Sequence, residues 1–353
     1  MKILINKPSF RLLGGVANHY MGLQPYWSET VLYNTVGSRS WISGIFLLPF
    51  DVVKFIVRLW LFHPNIVLLN PSLAEKAMRR DMLFLRLSKV FGVKVALFFH
   101  GFNRQYAGVL NKEKYVPLLN QADVIFVLAN EFRELFLSWG VKTQIELTTT
   151  KVDDRLIANL SADNEPLRTS PPTLLFLARV HRDKGIFEAI EAFCILKEEF
   201  PEIRLRVVGE GPDLQKTKKM VESLGVLDVI FEGCLIGDEL VRSFENSDLY
   251  LLPSRHEGMP TSVLEAMAFG LPVFVTKVGG IPDFFEQGKM GVMIEENTPQ
   301  TFAQEIREFL IDKSRMISVS EYNKKYARTH FMASIVVKGI EEKLRNTIRY
   351  ENE

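Results

Sequence analysis

In Arg255-His-Glu-Gly-Met-Pro-Thr-Ser-Val-Leu-Glu-Ala-Met-Ala-Phe-Gly-Leu-Pro-Val273, the carboxylates Glu257 and Glu265 bracket seven residues that begin Gly-Met-Pro-Thr-Ser. Gly258 and Met259 suit a tight turn, and Pro260 reads as a first-turn helical residue, where a missing N–H is tolerated. Thr261 and Ser262 bring hydroxyls to amides that a helix start leaves unpaired. Val263, Leu264, Met267 and Ala268 form an apolar stripe at helical spacing. Upstream, Leu249-Tyr-Leu-Leu-Pro-Ser254 reads as a buried strand. Strand, loop and helix together aim a helix N-terminus at the carboxyl edge of a sheet, where amide groups and the helix dipole favour an anion. Glu257 then lies on the loop at the mouth of that site, and Glu265, about two turns on, projects back toward it. Carboxylates do not bind phosphate but accept hydrogen bonds from sugar diols. Two of them beside a phosphate cradle point to a ligand with hydroxyls on both sides of a phosphate, a nucleotide sugar. Without its neighbours, the segment would read as a charged loop and a core helix with one Glu on its exposed face.

The flanking sequence repeats the strand–loop–helix pattern. Thr173-Leu-Leu-Phe-Leu-Ala178 is a short apolar strand, and Arg179-Val-His-Arg-Asp-Lys184-Gly185 is the loop after it. The helix that follows has Ile186, Ala189, Ile190, Phe193 and Leu196 on its core face. Arg179 and Lys184 supply the planar fork and point charge that hold a diphosphate. A strand through Val208 runs into Gly209-Glu-Gly211-Pro212, a glycine turn that is weak evidence alone; its helix ends at Gly225. Val229-Ile-Phe-Glu-Gly233-Cys-Leu235 and Val273-Phe-Val-Thr276 are further strands, the latter leading to Gly279-Gly280-Ile-Pro-Asp283.

These segments resemble the retaining GT-B glycosyltransferases of the glycogen-synthase-like group 1, family GT4. The carboxylate spacing resembles the E-x7-E signature. The loop with Arg179 and Lys184 resembles G-R-x-x-x-x-K-G, with Ala178 in place of the first Gly. Specific motifs cover roughly residues 170–295. The resemblance implies an α/β GT-B fold, two Rossmann-like domains facing across a cleft, with a C-terminal helix crossing back to the N-terminal domain. It implies that Arg179 and Lys184 grip the donor diphosphate and stabilise its developing charge. Glu265 would hold the ribose diol, and Glu257 the donor-sugar hydroxyls and positive charge at the anomeric carbon. Gly209 would lie near the nucleotide and Leu235 against the base. Gly258, Met259, Pro260, Thr261, Ser262 and Val263 would complete the donor site. No cofactor and no metal are implied, because cationic side chains and a helix N-terminus already neutralise the diphosphate; Asp153 and Asp154 are adjacent and lack Asp-x-Asp alternation.

The first half is less explicit. Strands are read near Ile3, Val31, Ile66–Leu69, residues 93–99, residues 124–128 and Ile145–Leu147. Leu13-Gly14-Gly15-Val16 follows the first strand and resembles the family loop that approaches the donor phosphates with bare backbone; alone it reads as a tight turn. His100, ending Ala96-Leu-Phe-Phe-His-Gly-Phe102, matches a family His that contacts the donor sugar and active centre. A departure comes at Thr150-Lys151-Val152-Asp153, where the family has Asn-Gly-Val-Asp, which bears on the acceptor. The polar, Pro-rich residues 160–172 read as a linker. They place an N-terminal acceptor-side domain at 1–165, joined by a final helix at about 331–353, and a C-terminal nucleotide-sugar domain at 166–330. That helix has Met332, Ile335, Val336, Ile340 and Leu344 at helical spacing.

Composition fits an enzyme with two cores: 353 residues, 47% hydrophobic, 24% charged. A net charge of +1 carries no signal for nucleic acid. Cys194 and Cys234 read as small buried hydrophobes in a reducing compartment, and the first strand is far short of a signal-peptide core. Residues 41–62 are apolar but interrupted by Asp51, Lys54 and Arg58, too broken to span a bilayer, and read as a buried Rossmann helix. Residues 76–89 interleave Lys76, Arg79, Arg80, Arg86 and Lys89 with Met82, Leu83, Phe84 and Leu85, a pattern for an anionic membrane surface or a solvated helix face. The expectation is a metal-independent hexosyltransferase moving a sugar from a nucleotide-diphosphate donor to a saccharide or lipid-linked saccharide acceptor. It would serve bacterial polysaccharide assembly in the cytoplasm, peripheral on the inner face of the membrane. A sugar-nucleotide epimerase and a non-catalytic nucleotide-sugar-binding homologue are the alternative readings.

Overall fold

The computed structural model describes residues 1–11, 14–37, 44–101, 104–158, 160 and 171–349. They form two compact units, Met1–Lys151 with Ala333–Glu353, and Val152–Met332. The boundary thus falls before the expected linker, of which residues 161–170 lie outside the described residues. Its cause is local pairing: the Val152 N–H donates to the Phe331 carbonyl at 2.7 Å, and Val152 bridges Met332, so both chain crossings lie side by side.

Unit 1 runs β1 (Lys2–Lys7), α1 (Gly15–Leu23), β2 (Thr30–Thr35), α2 (Gly44–Phe62), β3 (Ile66–Leu69), α3 (Glu75–Val90) and β4 (Lys94–Phe99). It continues through α4 (Arg104–Val109), α5 (Lys112–Leu119), β5 (Val124–Val127), α6 (Asn130–Ser138) and β6 (Ile145–Leu147). The strands form one parallel sheet in the order β2-β1-β3-β4-β5-β6. Ile66–Leu69 and Val124–Val127 are buried throughout because helices cover both faces of such a sheet. The core on one face joins Phe55, Phe84, Leu119, Phe132 and Phe136 to Val67, Leu97 and Val127.

Unit 2 runs β7 (Thr173–Leu177), α7 (Ile186–Glu199), β8 (Arg204–Val208), α8 (Leu214–Leu224), β9 (Val229–Gly233) and α9 (Gly237–Glu245). It then adds β10 (Leu249–Leu252), α10 (Thr261–Ala268), β11 (Val273–Thr276), β12 (Gly291–Ile294), α11 (Pro299–Ile311) and α12 (Lys313–His330). Its parallel sheet has the order β12-β11-β10-β7-β8-β9. The chain moves outward from β7 to β9, jumps back across β7, and moves outward the other way from β10. That reversal opens a crevice at the carboxyl ends of β7 and β10, where open α/β sheets bind ligands. α7 packs against α11, and α10 against α12. The last helix, α13 (Ala333–Arg349), returns to unit 1 and packs on α1. Its buried Glu341 accepts the backbone N–H groups of Ser28 and Glu29 at 2.8 and 2.9 Å.

Several readings change. β12 was not anticipated. On α13, Val336, Val337, Ile340 and Leu344 are buried, whereas Ile335 is exposed and Met332 precedes the helix. Cys234 is exposed and Cys194 half-buried; Cys234 lies just past β9, the edge strand of its sheet. α2 is not a buried helix: Phe55 and Leu59 face the core, but Phe46, Phe50, Val53, Val57, Trp60 and Leu61 are exposed. Its charges turn inward instead. Asp51 accepts the Gly37 N–H at 2.8 Å, Lys54 donates to the Thr35 carbonyl, and Arg58 donates to the Tyr33 carbonyl at 2.6 Å. On α3, Lys76, Arg79, Leu83 and Arg86 are exposed, but Met82, Phe84 and Leu85 are buried. Arg80 pairs with buried Asp81 at 2.7 Å and Lys89 with Asp123 at 2.6 Å, so both half-buried cations are already engaged in ion pairs.

Gly185 shows how tightly the unit 2 loops close. Its φ is +74°, and a Cβ there would lie 2.0 Å from the Pro253 carbonyl oxygen. Left-handed strain and overpacking together predict that Gly185→Ala costs about 2–4 kcal/mol, read as a lower urea midpoint with unchanged slope; an unchanged midpoint contradicts this packing.

Candidate active site

The crevice between β7 and β10 brings Lys184 and Glu257 together: the Lys184 ammonium lies 2.7 Å from each carboxylate oxygen of Glu257. Lys184 closes a short turn capped by His181 Nδ1, which accepts the Asp183 N–H at 3.1 Å. The loop after β10 is stapled to that turn. The Arg255 N–H donates to the Asp183 carbonyl at 2.8 Å, the Ser254 hydroxyl to the same oxygen at 3.1 Å, and the Arg255 side chain pairs with Glu188 at 2.6 Å. Below, Gly280 donates to the Gly258 carbonyl at 2.6 Å, and a Cβ on Gly279 would meet the Glu257 carbonyl at 2.4 Å. Gly209 donates to the Gly233 carbonyl at 2.7 Å, and its own Cβ would meet Ala178 O at 2.0 Å. The loops after β7, β8, β9, β10 and β11 therefore converge on one edge, and half-buried Leu235 follows Gly233 there. Arg179 is exposed in the first of these loops.

The helix start differs in detail from the sequence reading. Pro260 is the N-cap of α10, with φ −73° and ψ 107°, and not a first-turn residue, because the extended backbone after Met259 continues through it. No side chain caps α10, so Thr261 and Ser262 do not fill its amides. The Ser262 hydroxyl instead bonds the Tyr250 hydroxyl at 2.7 Å, which also donates to the Leu177 carbonyl at 3.0 Å. Burial raises the Tyr250 pKa, and the negative charges of Glu257 and Glu265 both add to that rise while the Ser262 bond opposes it. Both carboxylates thus act on one buried phenol. Val263 and Glu265 are buried on α10, which rules out an exposed-face glutamate.

The carboxyl edge of unit 1 carries a neutral cluster. His100, just past β4, places Nε2 2.7 Å from Asn70 Oδ1. Tyr20 donates to the same oxygen at 2.8 Å, while Asn70 Nδ2 donates to the Asn6 carbonyl at 2.7 Å. An amide oxygen only accepts, so His100 carries its proton on Nε2 and leaves Nδ1 as an acceptor. The ring stacks on Phe98 at 3.8 Å, and His19 meets it edge-on at 4.9 Å. Burial pushes the His100 pKa down to about 3. His19 is held well below the usual histidine range by burial, then by His100 and Lys151. Both His19 nitrogens are buried with no hydrogen-bond partner. Gly14 caps α1 in extended backbone with φ −178°, and a Cβ on Gly14 or Gly15 would meet nothing within 4 Å. Neither packing nor strain in this unit demands those glycines.

His19, Tyr20 and Asn70 escaped the sequence reading. Asn70 sits at the end of β3, next to β1 where this sheet's order reverses, a position that topology alone marks for ligands. Lys151, from the departing Thr150-Lys151 segment, is buried along α1: a Cβ on Gly22 would lie 2.2 Å from its Cε. Among the described residues, no three His, Cys, Asp or Glu side chains form a metal-holding group.

Comparison with known proteins identifies the fold. The fold is GT-B: a glycosyltransferase structure from Rickettsia africae superposes with a TM-score of 0.77 at 16% identity, covering 99% of this chain and 98% of that one. The Anabaena protein HepE, solved with UDP-glucose, superposes at 0.73 with 17% identity, covering 98% of this chain and all 100% of that one. Residues 160–328 match the family described as glycosyl transferases group 1, and that segment belongs to it. Over 246 residues the chain is 30% identical to WcaL of Salmonella typhimurium, named as a colanic acid biosynthesis glycosyltransferase. The match covers 67% of this chain and 60% of that protein, so the chain spans less than two thirds of this relative's length. The amylovoran biosynthesis glycosyltransferase AmsK of Erwinia amylovora is 30% identical over 62% of this chain and 56% of its own.

The buried histidines set a pH dependence. Unfolded histidine takes a proton near pH 6.5, whereas folded His100 resists protonation down to about 3. Between those values the unfolded chain binds more protons, so stability falls as pH drops below about 6.5, by about 1.4 kcal/mol per pH unit for each such histidine. His19→Phe keeps the ring packing and removes one of the two contributions. Urea denaturation at several acidic pH values should show roughly half the wild-type slope; an unaltered slope would refute the buried neutral assignment of His19.

Proposed function

We propose that the chain is a retaining glycosyltransferase that moves a sugar from a nucleoside-diphosphate sugar to a hydroxyl acceptor. The acceptor belongs to bacterial polysaccharide or lipid-linked oligosaccharide assembly at the cytoplasmic face of the membrane. The observation that carries this reading is the crevice at β7 and β10, where Lys184 and Glu257 meet beside an uncapped helix start. The names of WcaL and AmsK support the polysaccharide setting, and the UDP-glucose complex of HepE supports the donor class.

In this reading the bond from the anomeric carbon to the diphosphate oxygen breaks, and its electron pair leaves with the diphosphate. Arg179, Lys184 and the α10 amides take up that charge, so no divalent ion is needed. Lys184 exchanges part of its contact with Glu257 for the donor, which frees Glu257 oxygens for sugar hydroxyls and for positive charge at the anomeric carbon. Glu265 accepts the ribose diol. His100 offers its Nδ1 acceptor to a donor-sugar hydroxyl, and the bare Gly14-Gly15 backbone admits the phosphates. The acceptor oxygen attacks from the face the diphosphate leaves, and its proton passes to a leaving-phosphate oxygen.

Release of nucleoside diphosphate from UDP-, GDP- and ADP-sugars, with and without candidate saccharide acceptors, tests the reading. Acceptor-dependent release supports transfer, and binding without release supports a non-catalytic donor binder. Lys184→Ala and Arg179→Ala should each lower kcat by about 10²–10³ and change KM less, since the charge they meet grows in the transition state. A chelator should leave wild-type activity intact. Loss of activity that magnesium or manganese restores would overturn the metal-free scheme.

Glu265→Ala should weaken nucleoside diphosphate binding by about 1.5–3 kcal/mol, the worth of a hydrogen bond to a charged group. Calorimetry showing unchanged affinity in a folded variant would remove Glu265 from the ribose.

A further inference from the structure

We propose that the outward face of α2 docks flat on an anionic lipid bilayer, with the outward basic row of α3 as its electrostatic rim. The face consists of Phe46, Phe50, Val53, Val57, Trp60 and Leu61, with exposures from 46% at Val57 to 80% at Phe46. Residues 46 to 61 extend about 22 Å along the helix. A surface helix of a globular domain turns charge to water and apolar residues to the core. α2 does the reverse on its outer side. Its three charged residues, Asp51, Lys54 and Arg58, are bonded to residues 33–37, so none belongs to this face. The interruption that makes the sequence look unlike a membrane element is therefore turned toward the protein.

Charge and shape choose the occupant. α3 lies alongside α2, with Phe84 meeting Phe55 edge-on at 4.8 Å. Its exposed positions include Lys76, Arg79, Leu83 and Arg86, and the exposed acid there, Glu75, is paired with Arg79. An apolar row rich in Phe and Trp beside a row of Lys and Arg is the pattern of an interfacial helix, which sinks about 5–10 Å and leaves its cations among anionic headgroups. The chain's net charge is only +1, so the attraction is local to this row. No helix among the described residues is long and apolar enough to cross a membrane, which fits a helix lying in the interface. A second copy of the chain would have to match the same basic rim against itself, with like charges opposed.

The full chain is floated with vesicles of phosphatidylcholine alone or with equal phosphatidylglycerol, in the absence of donor, so the outcome is independent of the transferase reading. Wild type should float with the anionic vesicles and less so as salt rises. Reversing Lys76, Arg79 and Arg86 to Glu should lower binding at least about a hundredfold at low salt, about fivefold for each basic residue lost. Val53→Ser with Val57→Ser and Trp60→Ser should remove the binding that survives salt. These side chains are exposed, so the variants should keep the wild-type melting curve. Wild type that stays with the soluble fraction at low salt, or a serine variant that binds as wild type does, overturns the proposal. So does a wild-type dimer that the serine variant converts to monomer without any vesicle binding, which gives the face to a second copy.

Discussion

The ion pair between Lys184 and Glu257 is the contact around which the loops of unit 2 are arranged. It exists because the chain leaves β9, crosses back over β7 and starts β10 next to it, so two loops distant in sequence share one edge. The close approach is then enforced sterically. Gly185 presses on the Pro253 carbonyl and Gly279 on the Glu257 carbonyl, at separations that no Cβ could tolerate. Such a pair, with Glu257 only 6% exposed and Lys184 29%, is a poor source of stability because desolvation offsets much of its attraction. Its value lies in position: a cation and an anion are held a few ångströms apart beside an uncapped helix start. That is the charge pattern a sugar diphosphate presents in complement.

The two units divide the chemistry by polarity. Along the edge of unit 2 the groups are charged: Arg179, Lys184, Glu257, Glu265. Along the edge of unit 1 they are mostly neutral hydrogen-bonding groups, Asn6, Asn70, Tyr20 and His100, linked through one amide oxygen and one carbonyl. Burial lowers even Lys7 there to about 8, with Lys54 adding to the effect. A neutral network of fixed donors and acceptors suits hydroxyl recognition, where a net charge would bring desolvation cost without a partner of opposite sign.

Much of this was legible in the sequence because strands of parallel sheets are covered on both faces and read as unbroken apolar runs. Ile66–Leu69, Val124–Val127 and Thr173–Leu177 were recovered for that reason, and the glycine turns marked the loops after them. What periodicity could not convey is which way a helix turns. In α2, Asp51, Lys54 and Arg58 read as interruptions of an apolar run, yet they satisfy the backbone at the end of β2, and apolar residues other than Phe55 and Leu59 face out. Proline at 260 misled for a similar reason: its φ suits a first turn and an N-cap equally, and only its ψ of 107° separates them. His19 carried no motif of its own. Its importance comes from a neighbour 81 positions away, His100, which only the fold supplies.

Lys151 shows how a departure from a family pattern can be structural and chemical together. A glycine at that position would leave the junction loop bare, whereas lysine lays its alkyl stem along Gly22 of α1 and is itself only 3% exposed. The fit depends on Gly22 having no side chain, so the two positions are coupled across the unit. Burial depresses the His19 pKa most, His100 adds to that, and the Lys151 ammonium adds a further part. A cation placed there therefore does more than fill a loop. It adds to the burial that keeps His19 neutral, beside a His100 whose own neutrality comes from burial.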